Sequence, residues 1–343
     1  MNASVILTLW TMLALTQSSA PPSQGATTLP QQQQPVQTPE LNNILETQVM
    51  LDRAGFSPGP IDGRMGANTK KALELFQKSG HQDIPAINAV TRYRITAEDA
   101  AGPFIDQLPN DMMETAKLPA VGYTSLLEEL AERFHSTPAL LQQLNPGVTF
   151  AADQEIQVPN VEPMTLATPA VPAETKASGT TGNTSAGGSA AQPKGTSGTK
   201  TDANQKPDVT VTVAKSTSSL TVTDASGRVL HYAPVTTGSL HDPLPIGEWK
   251  VTGIQFNPKF HYNPDLFWDA EPAHTKATIQ PGPNSPVGVV WIDISKEHYG
   301  LHGTPEPSTI GRTQSHGCVR MTNWDALEVA ALVKPGTRVV FTE

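Results

Sequence analysis

From Glu162 to Pro207 the sequence holds no aromatic residue, and its only larger aliphatic side chains are Met164, Leu166 and Val171. A tract such as SGTTGNTSAGGSAAQPKGTSGTK cannot bury enough apolar surface to offset the entropy lost on ordering it, so no single core runs through the chain at this point. Residues 162–207 therefore read as a flexible linker, a Gly/Ser-type coil of about 45 residues with a root-mean-square span of roughly 35–40 Å. Modules tied by such a linker are expected to work at separate points. Residues 21–40, PPSQGATTLPQQQQPVQTPE, form a second, Pro/Gln-rich linker on the same grounds. Two ordered regions remain, about 41–160 and 208–343, each long enough for its own core.

Residues 4–16, SVILTLWTMLALT, are apolar but too short to span a bilayer comfortably, and small residues follow up to Ala20. This predicts a signal peptide over 1–20 and export. No later segment is long and apolar enough to cross a membrane, so no stable transmembrane anchor is expected. Export changes the meaning of Cys318, the single cysteine of the chain. An exported protein uses cysteines in pairs, and an unpaired thiol is exposed to oxidation, which favours a chemical role. With 23 Lys and Arg against 32 Asp and Glu, and no basic block, nucleic acid is excluded as a partner.

In the first region Leu41, Ile44, Leu45 and Val49 recur at helical spacing, the chain turns through AGFSPGPIDGRMG, and Ala72, Leu75 and Phe76 give a second stripe. A small helical domain is expected over 41–95. Residues 96–161 carry a helix with Leu126, Leu127, Leu130 and Phe134, a Thr137-Pro138 helix start, and a closing strand from Glu155 to Val158. The C-terminal region is written in strands: 209–213, 219–224, 228–237, 247–255, 287–294 and 338–342. One helix interrupts them, starting after Thr322-Asn323 and stopping at Lys334-Pro335-Gly336, with Asn323 and Asp325 read as helix-start residues. Its mostly antiparallel β domain places Cys318 in a long loop just before that helix.

A cysteine nucleophile needs a nearby imidazole and backbone dipoles that favour the thiolate. His302 and His316 are the candidates, and spacing alone does not choose between them. Gly317 lets the Ser315-His316-Gly317-Cys318 turn bend sharply, so that backbone amides can address an oxyanion. The stretch FNPKFHYNPDLFWD, 256–269, has the aromatic and proline content of a loop on the substrate side.

LNNILETQVMLDRAGFSPGPIDGRMGANTKKALELFQKSG resembles a peptidoglycan-binding-like helical domain, and residues 122–160 resemble a LysM-type α+β module that either binds glycan or only packs. From Gly247 to Val340, including Tyr299-Gly300-Leu301-His302-Gly303 and Ser315-His316-Gly317-Cys318-Val319-Arg320, the chain resembles the L,D-transpeptidases, with their YkuD-type β fold. That resemblance implies a catalytic domain over 208–343 with Cys318 as nucleophile, His302 as general base and the Gly303 carbonyl as its orienting partner. His316 and Gly317 would lie beside the oxyanion site, and Tyr299 and Ser315 beside the substrate. Arg320 would either hold a substrate carboxylate or cross-link its own loop.

The implied reaction is acyl transfer from a peptidoglycan tetrapeptide stem with release of D-Ala, giving a 3→3 cross-link when a neighbouring stem amine resolves the thioester. Water, a D-amino acid or a lipoprotein lysine would be alternative acceptors. No cofactor and no metal are required, peptidoglycan is the expected partner, carbapenem-type β-lactams are expected inhibitors, and the location is periplasmic or cell-wall associated. Two rivals are a metallohydrolase with His302, His316 and Cys318 as zinc ligands, against which the lack of H-x-x-x-H or C-x-x-C spacing counts, and a non-catalytic wall-binding scaffold.

Overall fold

The computed structural model describes residues 39–81, 87–166 and 206–343. The signal peptide expected at 1–20 and nearly all of the two linkers, 21–40 and 162–207, lie outside the described residues. The N-terminal part begins with helices α1 (Pro39–Arg53) and α2 (Ala67–Lys78), joined through the Gly59–Gly63 turn. Strand β1 (Val90–Arg94) follows, then the short helices α3 (Ala97–Ala101) and α4 (Met112–Thr115), helices α5 (Leu126–Arg133) and α6 (Pro138–Leu144), and strand β2 (Glu155–Pro159). Ser125 caps α5 by accepting from Glu128 N, and Thr137 caps α6 with Pro138 in its first turn, where the missing N–H costs nothing.

Strand β1 pairs antiparallel with β2, Val90 opposite Pro159 and Arg94 opposite Glu155. It thus stands in one sheet with the second segment although it precedes the boundary expected at residue 96. Leu45 and Val49 of α1 share a single buried cluster with Leu130, Phe134, Leu140, Leu141, Leu144, Ile156 and Val158. The two N-terminal segments have one core between them.

The C-terminal part holds β3 (Val209–Ala214), β4 (Ser219–Asp224), β5 (Val229–Pro234), β6 (Gly247–Phe256), β7 (Phe260–Tyr262), β8 (Ala277–Ile279), β9 (Val290–Ile294), β10 (Gly300–His302), β11 (Val319–Arg320), α7 (Asn323–Leu332) and β12 (Arg338–Thr342). Eight of these strands form a sheet in the order β11-β10-β9-β6-β12-β3-β4-β5, and β7 pairs with β8 beside it. Pairing is antiparallel except at β12–β3 and β10–β11. In strand β3 Val209, Val211 and Val213 are buried while the intervening threonines are not, the period-two pattern of a sheet with one face on a core. Thr236, just after β5, exchanges two 2.9 Å backbone hydrogen bonds with Arg320 of β11, so the sheet curls until its ends meet.

Helix α7 buries six of its ten residues, leaving Glu328 and Ala331 exposed. Ala326, Val329 and Ala330 belong to the sheet core, while Trp324 stacks on His135 at 5.2 Å and Asp325 Oδ2 accepts from Ser57 Oγ at 3.1 Å. A helix buried on two faces lies between two layers, and its outer layer here is the N-terminal part. A second join occurs at the sheet edge, where Ser57 N donates to Tyr232 O and Tyr232 N to Gly55 O, both at 2.8 Å. Tyr232 completes a buried cluster with Met50, Leu51, Phe56 and Phe76. The separate working of the two regions, expected from the linker, is therefore not what the fold shows: the described residues of both regions belong to one compact unit.

Candidate active site

Parallel pairing of β10 with β11 sets Leu301 opposite Val319 and His302 opposite Arg320, and antiparallel pairing with β9 sets His302 opposite Trp291. Side chains alternate along strands, so Trp291, His302 and Arg320 share one face, and Cys318, in the bend just before β11, lines the same cleft. That face floors a cleft of about 890 Å³ lined by Cys318, His302, His316, Arg320 and Tyr299. Its other wall is the 258–274 segment, including Phe260, Phe267 and Asp269.

His302 is 3% exposed and its Nδ1–H donates to Gly303 O at 2.7 Å, which leaves Nε2 as the unprotonated nitrogen. Burial, reinforced by the Arg320 guanidinium, pushes its pKa down to about 3, while the Gly303 bond opposes this. Burial pushes the Cys318 thiol up to about 11 against the opposing pull of the Gly300 backbone and Arg320. Thiol and imidazole are both neutral at rest. Sγ donates weakly to His298 O at 3.7 Å.

The turn around the thiol is built by close contact. Gly317 has φ 103°, and a Cβ there would lie 2.6 Å from the Tyr299 ring. Ser315 is buried, and its Oγ donates to Cys318 O at 2.5 Å, closing the turn on itself. His316 turns to the opposite wall: Nε2–H donates to Asp269 Oδ1 at 2.7 Å, and the ring meets Phe267 edge-on at 4.9 Å. The Arg320 guanidinium is partly desolvated, with Nε buried and unpartnered, and burial lowers its own pKa.

Three contributors escaped the sequence reading. Trp291 stacks on the His302 ring at 5.2 Å and lies over Gly300, where a Cβ would come within 2.5 Å of the indole. Asp269 is the partner of His316. Asn323 opens α7 as expected, behind the cap Thr322, whose Oγ1 accepts from Asp325 N; what the sequence did not show is that its carboxamide points toward Gly303. The alternation of VWIDI was the available signal for Trp291, since it puts Trp291 on the face away from the core.

Residues 208–341 match the family model described as the L,D-transpeptidase catalytic domain (YkuD), and residues 40–81 match a putative peptidoglycan binding domain. The putative L,D-transpeptidase YkuD of Bacillus licheniformis is 54% identical over 63 residues, covering 18% of this chain and 38% of that protein. Its Bacillus subtilis counterpart is 33% identical over 114 residues, covering 33% and 54%, and the probable L,D-transpeptidase YbiS of Escherichia coli is 32% identical over 115 residues, covering 32% and 37%. The chain thus spans about half or less of the length of these curated relatives. Among solved structures, an L,D-transpeptidase from Mycobacterium smegmatis superposes with a TM-score of 0.33 at 18% identity over 40% of this chain and 59% of that one. L,D-transpeptidase 3 from Mycobacterium tuberculosis, solved with a faropenem-derived adduct, gives the same score and identity over 40% and 61%.

Proposed function

From the L,D-transpeptidase catalytic domain at residues 208–341 and the peptidoglycan-binding domain at 40–81, we infer that the protein is an exported, wall-associated cysteine acyltransferase that forms 3→3 cross-links between peptidoglycan stems. The observation that carries this reading is the His302 Nδ1–H bond to Gly303 O, which leaves a neutral Nε2 on a ring that lines the same cleft as Cys318. As Cys318 Sγ attacks the carbonyl of the third stem residue, Nε2 takes the thiol proton, so the thiolate forms only during attack. The amides of the Gly317–Cys318 turn face the developing oxyanion. The C–N bond to the terminal D-Ala then breaks, the leaving amine takes the proton from Nε2, and a thioester remains. In the second half His302 removes a proton from an acceptor amine, which displaces Sγ and returns it as the thiol.

Arg320, charged, desolvated and with Nε free, suits a stem carboxylate. The wall formed by Phe260, Phe267 and the His316–Asp269 pair closes the other side of the cleft. The 96–161 segment, with α5, α6 and the closing strand β2, is proposed as a LysM-like second glycan contact. Among the described residues no helix is long and apolar enough to cross a membrane.

Incubation with disaccharide tetrapeptide, followed by mass spectrometry, tests the assignment. A dimer is expected, with loss of all product in Cys318→Ala. Tripeptide alone would make the enzyme a carboxypeptidase, and product from Cys318→Ala would remove the nucleophile. A carbapenem-type β-lactam, whose strained carbonyl imitates the scissile amide, is expected to add its mass to Cys318.

A further inference from the structure

The Gly303 carbonyl holds His302, and the contacts around Gly303 lead out of the catalytic domain. Asn323 is fully buried. Its Oδ1 accepts from Val289 N at 3.1 Å, and its Nδ2 donates to Glu132 Oε1 at 2.6 Å and to Pro283 O at 3.2 Å. The carboxamide oxygen occupies a slot that only glycines leave open, since a Cβ on Gly303 or on Gly288 would lie 2.0 Å from it. Gly303 N in turn donates to Val290 O at 3.2 Å, one residue beyond the amide that Asn323 binds.

Glu132 belongs to α5, in the N-terminal part, and is 8% exposed. Burial raises its pKa to about 7, opposed by the hydrogen bonds of Asn323 and Tyr123. Protonated or ionised, it keeps one acceptor oxygen for Asn323. A buried carboxyl is costly unless satisfied, and this one is satisfied by a residue that touches the backbone of the catalytic loop.

We propose that Asn323 and Glu132 are positioning residues for the reaction: Glu132 anchors the Asn323 carboxamide, which braces Gly303 so that its carbonyl keeps His302 in the reactive tautomer and orientation. The proposal rests on His302 being the general base. A residue of the N-terminal part would thereby set the geometry of a histidine in the catalytic domain.

The test follows acylation of Cys318 in the full chain by a carbapenem-type β-lactam, using intact mass from pH 6 to 10. With His302 neutral throughout, the parent rate is flat. Asn323→Ala and Glu132→Ala are expected to lose roughly 10–100-fold at pH 7, the scale of a catalytic group displaced by about an ångström. Their rates then stay level until the ionised, unassisted thiol overtakes this residual rate, and climb from about pH 9 to 10. Glu132→Gln, which keeps a carbonyl acceptor, retains the flat profile. A bond that only glues the two parts together would reduce amplitude in proportion to the unfolded fraction and leave the profile flat, and that result overturns the proposal.

His302→Ala separates this proposal from the reading beneath it. A flat profile in His302→Ala overturns the general-base reading, whereas a slope in that variant alone overturns only the positioning role. Should the alanine variants not fold, the swap decides: Asn323→Asp must acquire the slope, and Asn323→Asp with Glu132→Gln, which exchanges donor and acceptor, must lose it. A slope in both, or in neither, overturns the proposal.

Discussion

Replacing His302 by alanine removes the proton acceptor and leaves a thiol whose pKa burial has raised to about 11. At pH 7 about one such thiol in ten thousand is ionised, and that fraction grows tenfold per pH unit. The variant should therefore acylate about 10⁴-fold more slowly than the parent at pH 7 and about 100-fold more slowly at pH 9, the upper end of what general bases contribute. The parent behaves differently because its base has a pKa of about 3, so Nε2 is available above that pH and the rate stays level from about pH 5 to 9. Stopped-flow fluorescence with a carbapenem, over that range and with saturation checked at each pH, reads both profiles. A parent rate that halves near pH 6.5 would show an ordinary solvated imidazole and refute the argument from burial. So would a variant within tenfold of the parent at pH 7.

Glu132 makes a prediction about stability, because its pKa of about 7 in the fold exceeds the ordinary 4.5. The folded state holds this proton more tightly, so stability should fall by roughly 3 kcal/mol as pH rises from 4.5 to 7 and stay lower above it; urea titrations in which Glu132→Gln has the same pH dependence as the parent would contradict this. Arg320→Met should raise KM for disaccharide tetrapeptide by roughly 10–100-fold, the value of a charge-assisted hydrogen bond, with a smaller change in kcat; an unchanged KM assigns Arg320 to its own loop. A fragment of residues 206–343 leaves Tyr232 and Trp324, 3% and 2% exposed in the full chain, bare to water. Each forfeits about 1.5–3 kcal/mol of burial, so denaturant midpoints should show the fragment weakened by about 3–6 kcal/mol.

Much of this fold was legible in the sequence because strand alternation and helix caps are local signals. The period of VTVTV located β3, and Thr137-Pro138 marked the start of α6. The join between the two halves was not legible, because composition shows that a side chain will be buried but not what will cover it. The low apolar content of residues 162–207 separates cores along the chain and says nothing of surfaces meeting in space. One signal was present in NWDALEVAAL, whose apolar residues surround the helix rather than forming a stripe. At the site, Cys318 and His302 stood out by chemistry, with roles drawn from a resemblance. Trp291 and Asn323 did not, since their meaning depends on cross-strand register and on two glycines distant in the sequence.

Both described ends of the connecting segment lie against the same body. Leu166 packs on the catalytic core, and Lys206 Nζ donates to Ala330 O and Val333 O at the end of α7, each at 2.9 Å. The connection is then a loop closed on one particle and not a leash between two, so its length sets no working distance. Closing a loop twice as long costs only about 0.6 kcal/mol more, and insertions between Leu166 and Lys206 should scarcely be felt. A protease cut there should release nothing: the two pieces, held by α7, the Tyr232 edge and the Glu132–Asn323 bond, should leave a sizing column as a single peak.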